Sequence, residues 1–235
     1  AIAGIAIGTV ILPNLSRHIK SNNSVKTIEL QNKALELSLF LSLPASFALM
    51  VGSEQITSAL FGYGSFDQLT VSNSAKALFY FSFGLPAFSL IKIFSTFLFA
   101  RNDTKTPFKY SLISVILNII ISLTFFSQIG FIIIPIATTI SSWFNGLILL
   151  IFVINKNYFK FSSNFIKQIT KIIFSNIIAI FIFYILINIL GTYLDYENNY
   201  KFIFIILIVL LTFVSYIGFS IIIKAFKISD INLKY

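Results

Sequence analysis

The sequence alternates between long apolar stretches and short polar connections. Six of the stretches approach the roughly 20 residues that a tilted helix needs to cross about 30 Å of hydrocarbon. They occupy residues 34–52, 75–100, 110–127, 131–154, 172–190 and 202–223. They lack the alternation of barrel strands, and a helix satisfies its own backbone hydrogen bonds in lipid. We therefore predict six complete transmembrane helices.

A seventh apolar stretch covers residues 1–15. It has neither the basic start nor the cleavage site of a signal peptide, so we interpret it as the end of a spanning helix that is cut at Ala1. Pro13 is expected to end that helix. The predicted fold class is an all-α polytopic membrane protein, with a bundle of about seven transmembrane helices, one partial and six complete.

Basic residues mark alternate connections between the spans. Residues 16–33, 101–109, 155–171 and the tail from Lys224 contain all of the 17 basic residues except Lys76, Lys92 and Lys201. The intervening connections, 53–74, 128–130 and 191–201, contain a single basic residue, Lys201. Because basic loops stay on the cytoplasmic side, this pattern predicts that these basic segments and the C-terminus are cytoplasmic. A short interfacial helix is expected around residues 54–61.

Composition excludes several kinds of chemistry. The chain has no cysteine, one histidine and eight acidic residues, of which only Glu36 lies inside a predicted span. That rules out disulfides and thiolate sites and leaves no hydrolytic carboxylate pair or metal cluster. We predict no catalytic residue, no metal and no cofactor. The net charge of +9 is explained by topology and by contact with anionic lipid, so no nucleic-acid partner is expected.

Lys92 is a charged residue deep inside a predicted span. It precedes Arg101 by nine residues, which is about 13 Å along a helix and close to the membrane midplane. A charge at that depth costs about 2.5–3.5 kcal/mol on insertion scales. We expect Lys92 to face a polar cavity, where it suits an anionic substrate such as a diphosphate; pairing with an acid and strained snorkelling are the alternatives.

Other polar residues within the spans are candidates for gating or for a polar seam. Glu36 lies in the first turn of its span, where the helix dipole favours an acid, and gating is the alternative role. The polar seam consists of Asn118 and Ser122 in one span and Thr138, Thr139, Ser141, Ser142 and Asn145 in the next. These residues could line a cation site, or they could form interhelical hydrogen bonds.

Three segments carry a resemblance to a known family. They are residues 8–17 (GTVILPNLSR), 60–67 (LFGYGSFD) and 100–107 (ARNDTKTP). Their order and spacing resemble the MurJ/MviN-type lipid II flippases of the MOP exporter superfamily. The resemblance extends over roughly residues 4–155, and two further helices follow, as expected in that family.

The resemblance implies that the chain is the C-terminal lobe of a two-lobe transporter with fourteen helices. Residues 1–154 would supply the transport-lobe helices, residues 155–171 a cytoplasmic basic loop, and residues 172–235 the last two transmembrane helices and the tail. Those two helices would border a groove for a lipid tail. The location implied is the bacterial inner membrane, and the partners implied are membrane lipids and the N-terminal lobe.

The function implied by the resemblance is transport without catalysis. Lipid II, an undecaprenyl-diphosphate-linked disaccharide-pentapeptide for peptidoglycan synthesis, would be flipped from the inner to the outer leaflet by alternating access. Lys92 has a counterpart in the family pattern. A coupling cation is an open option, with Asn118, Ser122 and Thr138 placed like an ion site that no acid joins. The alternatives are another MOP-type exporter of a polysaccharide-lipid or drug, and a membrane-embedded glycosyl- or phospho-transferase.

Overall fold

A computed structural model of the chain describes residues 2–226, and every regular element within them is helical. The helices are α1 (Ile2–Lys20), α2 (Ser24–Val51), α3 (Ser53–Phe61), α4 (Gln68–Ser82), α5 (Leu85–Phe99), α6 (Lys105–Ile129), α7 (Ile133–Asn155), α8 (Ser163–Ile189), α9 (Gly191–Leu194) and α10 (Lys201–Ile222). A 3₁₀ turn, Gly130–Ile132, joins α6 to α7. The all-helical prediction is confirmed, and α3 corresponds to the expected short interfacial helix.

Side-chain caps set where several of the helices begin. Asn23 accepts a hydrogen bond from the Lys26 amide before α2, and Ser162 accepts one from the Phe165 amide before α8. Asp67 accepts bonds from the amide and the hydroxyl of Thr70 before α4. These bonds lower the pKa of the Asp67 carboxyl, with the hydroxyl bond making the larger contribution. Each cap satisfies an amide that the helix cannot pair internally.

Five helical segments of the described residues are long and apolar enough to cross a membrane. One of them, Lys105–Asn155, contains both α6 and α7. The two helices run antiparallel, because Ser114 donates to the Ser141 carbonyl while Asn118, one turn later, donates to Thr138, one turn earlier. That segment therefore accounts for two of the six complete spans that the sequence predicts.

The span predicted at residues 75–100 is broken into two helices. Helix α4 ends at Ser82, and α5 begins at Leu85 with Pro86 in its first turn. Proline fits the first turn of a helix, where its missing N–H has no intrahelical partner. Two side chains of α7 occupy the break: Thr139 donates to the Tyr80 carbonyl and Trp143 to the Phe83 carbonyl.

The basic connections meet at one end of the bundle, which we call the basic end. Asn32 in α2 bridges the loop between α7 and α8, donating to the Lys160 carbonyl and accepting from the Ser162 amide. Lys171 in α8 donates to the Lys224 carbonyl after α10. The connections α2–α3–α4 and α8–α9–α10 lie at the opposite end, where Lys201 contacts Gly62.

Two details of the sequence interpretation are wrong. Pro13 lies inside α1, which continues to Lys20, and α2 and α8 begin well before the predicted spans. The segments expected as basic loops at residues 16–33 and 155–171 are therefore largely helical. Hydropathy measures the length that fits in hydrocarbon, whereas a helix with a polar terminal turn continues into the interfacial region.

Candidate functional site

The polar seam lies between α6 and α7 and is a connected set of hydrogen bonds. The Asn118 amide donates to Thr138 Oγ1 at 3.0 Å and to Ser141 Oγ at 3.3 Å. Thr138 Oγ1 donates to the Ile134 carbonyl, and its own carbonyl accepts from the Ser141 and Ser142 hydroxyls. The structure therefore brings Asn118 and Thr138 together and uses both in helix–helix contact.

The remaining seam residues differ in their hydrogen-bond partners. Ser122 Oγ is buried without a hydrogen-bond partner in the described structure. Asn145 donates to Ser111, a residue that the sequence interpretation missed, and Thr139 points to the Tyr80 carbonyl of α4. Ser114 was also missed, although its position one turn before Asn118 on the same face could have indicated it.

The seam offers a cation only neutral oxygens, of which Ser122 Oγ and Asn145 Oδ1 are buried without a hydrogen-bond partner among the described residues. The hydroxyls of Thr138, Ser141 and Ser142 donate to carbonyls, and no acidic side chain belongs to the seam. Among the described residues, no group of three or more His, Cys, Asp or Glu residues is placed to hold a metal ion. The coupling cation stays a prediction.

Lys92 lies on α5 beside Gly4 of α1. A Cβ atom at Gly4 would lie 3.2 Å from the Lys92 Cβ and 3.0 Å from the Ser89 backbone. The residues that follow, from Ile93 to Leu98, are buried, whereas the Lys92 side chain is exposed. Its carbonyl accepts a bond from the Thr96 hydroxyl. The chain alone therefore leaves the Lys92 ammonium on an open surface within a spanning segment.

Glu36 lies on α2, well inside that helix rather than in its first turn. The helix begins at Ser24, so the expectation that the N-terminal dipole stabilises Glu36 is wrong. Its carboxylate is 3.8 Å from the Lys33 ammonium, and both side chains are partly exposed. The pair has the i, i+3 spacing that favours contact on one helix face.

Two clefts among the described residues lie at the opposite end of the bundle and not at Lys92 or the polar seam. The first has a volume of about 360 Å³, and its walls include Glu54, Ser58 and Asp195. The second, about 510 Å³, is lined by Gln68, Asp195 and Glu197 among others. Neither cleft contains a residue that the sequence singled out as a candidate site.

The largest feature that sequence reasoning missed is the environment of Lys201. This side chain is only 1% exposed and belongs to the first residue of α10. The signal was present, since Lys201 is the one basic residue in the connections at this end. Gly62 and Tyr63, which contact it, could not be found from sequence because they belong to a distant segment of the chain.

Arg101 organises the basic end between α5 and α6. Its guanidinium donates to the Phe97 and Tyr158 carbonyls, both at 2.9 Å, and stacks over the Tyr158 ring. Burial lowers the pKa of Arg101 from its usual value, and the Coulomb interaction with Tyr158 partly offsets that effect. Arginine stays charged in proteins, so the residue acts as a fixed cationic brace between two loops.

Apolar helices in one bundle, with polar side chains paired inside the spans, define the chain as part of a multi-pass helical membrane protein. The family described as "MurJ: Lipid II flippase MurJ" matches residues 1–225. The chain therefore belongs to the lipid II flippase MurJ family, which is a family of bacterial membrane transporters. The resemblance inferred from the three sequence segments is confirmed.

Individual relatives agree with this assignment. A probable lipid II flippase MurJ from Rhizobium meliloti is 40% identical over 63% of this chain and 28% of its own length. The corresponding protein of Rickettsia prowazekii is 38% identical over 62% of this chain and 29% of its own. A solved structure described as lipid II flippase MurJ in an inward closed conformation has a TM-score of 0.75 and 27% identity, covering 94% of this chain and 43% of that one. The chain thus spans less than half the length of these relatives.

Proposed function

We propose that the protein containing this chain flips lipid II from the inner to the outer leaflet of the bacterial inner membrane. The observation that carries the proposal is the family match along residues 1–225, supported by the shared fold. The chain would form the C-terminal lobe, and an N-terminal lobe would supply the other wall of the transport cavity. Transport would proceed by alternating access, with no covalent chemistry in this lobe.

In this proposal the basic end lies in the cytoplasm, together with the C-terminus. The supporting observation is that basic segments from four connections converge at one end, as Asn32, Arg101 and Lys171 indicate. Lysine and arginine near span ends stay on the cytoplasmic side during insertion. Lipid II would therefore enter from the leaflet nearest the basic end.

Lys92 would contact the diphosphate of lipid II. An ionisable group within a spanning segment faces a bundle interior or a polar cavity far more often than lipid. Here the Lys92 side chain is exposed on the chain alone, and its Cβ sits against Gly4 of α1. A surface between α1 and α5 that faces the other lobe would give the ammonium a polar environment and an anionic partner.

The last two long helices would border the lipid tail. Large apolar side chains are exposed on α8 and α10, including Phe174, Phe181, Leu210 and Val214. Polyprenyl chains and membrane lipids both fit such a surface. The headgroup would then cross the cavity while the tail stays in hydrocarbon.

The test is a flipping assay on the full-length protein reconstituted with fluorescent lipid II. We expect the wild-type protein to move lipid II, and Lys92→Ala to slow transport by roughly tenfold or more, as expected for loss of a hydrogen bond to a charged group. Lys92→Arg should retain most of the rate, and Lys76→Ala, which removes an exposed charge on α4, should leave it unchanged.

The results of this assay test the function, the substrate and the role of Lys92 separately. Absence of lipid II transport by a folded wild-type protein would refute the function. Transport of polysaccharide-linked lipids or cationic drugs instead of lipid II would indicate another exporter of the same superfamily. Normal transport by Lys92→Ala would remove Lys92 from substrate binding and leave the family function intact.

A further inference from the structure

Lys201 is an exception to the charge pattern at the opposite end of the bundle. It is the only basic residue in the connections 53–74, 128–130 and 191–201. It also occupies the first residue of α10, where the helix dipole disfavours a cation. Two general preferences are therefore violated at one position, which calls for a specific local interaction.

The structure supplies that interaction in a closed cage. Lys201 Nζ donates to the Gly62 carbonyl at 2.7 Å and to the Tyr196 carbonyl at 2.6 Å. The same atom lies 4.5 Å from the centroid of the Tyr63 ring and 4.4 Å from that of the Tyr196 ring. Carbonyl dipoles and aromatic faces both stabilise an ammonium group. Here two carbonyls and two rings surround the single Lys201 ammonium.

The walls of the cage are themselves anchored. The Tyr63 hydroxyl donates to the Ala59 carbonyl within α3, and the Tyr196 hydroxyl donates to the Phe66 carbonyl between α3 and α4. A Cβ at Gly62 would lie 3.1 Å from the Tyr196 ring, so the two segments are in close contact. The connection after α3 and the connection before α10 are thereby held together at three points.

The Lys201 ammonium is held without a carboxylate. Asp195 and Glu197 are nearby in sequence and are exposed, and among the described residues no acid lies within salt-bridge distance of Lys201 Nζ. Removing a lysine from water without an acid is costly, and only dipoles and rings offset that cost here. Methionine has similar length but no donor, so it would fill this position while leaving the Gly62 and Tyr196 carbonyls without the bonds that join the two segments.

We propose that Lys201 is a latch that fixes the ends of α8 and α10 to the α3–α4 connection, so that these two helices move with the lobe during transport. The inference rests on the proposed function for its role in transport. Phe183 of α8 packs beside Gly52 at the same end, and a buried cluster containing Phe183, Leu194 and Ile205 continues the contact. At the half of α10 nearer the basic end, Tyr216 donates to the Phe40 carbonyl of α2. The helix is thus tied near both ends.

Hydrogen exchange in the full-length protein tests the latch independently of transport. Lys201→Met should speed exchange of the amides in residues 62–66 and 195–200 by about tenfold, because both segments lose their shared anchor. Lys76→Met, which removes an exposed charge from α4, should leave the amide exchange rates of both segments unchanged. Unchanged exchange in folded Lys201→Met protein would overturn the proposal.

A milder variant decides the question where Lys201→Met does not fold. Tyr63→Leu removes one ring of the cage and keeps the lysine and both carbonyls. It should speed exchange in the same two segments by a smaller factor, with the other helices unchanged. Folded Tyr63→Leu protein with wild-type exchange in both segments would overturn the latch.

A covalent tether tests whether the latch acts by holding the segments together. Ser65→Cys and Glu197→Cys flank the contact between Phe66 and Tyr196, and both positions are exposed. In the Lys201→Met background lipid II flipping should fall several-fold, and a flexible bismaleimide linking the two cysteines should restore it. A wild-type rate in Lys201→Met, or no recovery after linking, would overturn a role in transport. If the wild-type protein flips no lipid II, the proposed function fails and the exchange experiments still decide the latch.

Discussion

Gly8 and Thr96 show how a single atom sets the distance between two helices. A Cβ at Gly8 would lie 2.7 Å from Thr96 Oγ1, closer than real Cβ contacts allow. That hydroxyl is not free to rotate without loss, because it donates to the Lys92 carbonyl at 2.9 Å. The contact therefore places α1 against the turn of α5 that carries Lys92.

We expect Gly8→Ala to destabilise the full-length protein by about 1–3 kcal/mol, the usual cost of overpacking. Thr96→Ala should remove most of that cost in the double variant, because the clash involves only its hydroxyl. Equilibrium unfolding in detergent measures both in a double-mutant cycle. Strictly additive effects of the two substitutions would contradict the close contact.

Sequence predicted some residue-level features of the candidate site and not others. The spacing of Gly4 and Gly8 is typical of close helix approach, but it could not show that α5 is the partner. Asn118 and Thr138 are polar residues in adjacent spans, so their contact could be predicted. The cage around Lys201 could not, because Gly62 and Tyr63 are distant in the chain and reach the lysine only after the bundle has folded.

The structure differs from the hydropathy prediction at the ends of the helices more than at their centres. The apolar centres of the six spans are recovered because burial in lipid demands them. The extensions of α2 and α8 toward the basic end carry polar residues, and hydropathy cannot distinguish a polar helical turn from a loop. The break before α5 is different, since the hydropathy pattern predicts one span over residues 75–100, while Pro86 within it indicates an interruption of the helix.

The turn between α6 and α7 depends on one glycine. Gly130 has φ 73° and ψ −154°, a region occupied almost only by glycine, and nothing lies within 4 Å of a Cβ built there. Any penalty for a side chain at this position therefore comes from the backbone. The sequence indicated a short turn at residues 128–130, and the structure gives the reason for its glycine.

Gly130→Ala should destabilise the protein by about 1–3 kcal/mol, the cost of a strained backbone conformation. Gly218→Ala is the matched control, because Gly218 lies in the helix α10 and an added Cβ there meets open space. That change should stabilise by up to about 1 kcal/mol through helix propensity. Each variant's free energy of unfolding is compared with that of the wild type. Changes of the same sign in both variants would contradict the assigned role of Gly130.

The arrangement of the long helices follows from the position of the basic residues, which lie mainly at one end of the bundle. Helices α1, α2, α5, α6, α7, α8 and α10 all have a terminus at the basic end, and the contacts of Asn32, Arg101 and Lys171 bring those termini together. Alternation of basic and non-basic connections predicted this arrangement before any coordinates. The chain covers 43% of the solved relative, so its contacts with the proposed N-terminal lobe could not be predicted in the same way.

The proposed function requires these helices to cross the membrane with the basic end inside the cell. The most direct measurement is labelling of single cysteines in the full-length protein in intact cells with a membrane-impermeant maleimide. Asn199→Cys, at the opposite end, should react from outside, whereas Lys156→Cys, at the basic end, should react only after permeabilisation. Reaction of Lys156→Cys in intact cells, with Asn199→Cys protected, would contradict the orientation and the direction of transport built on it.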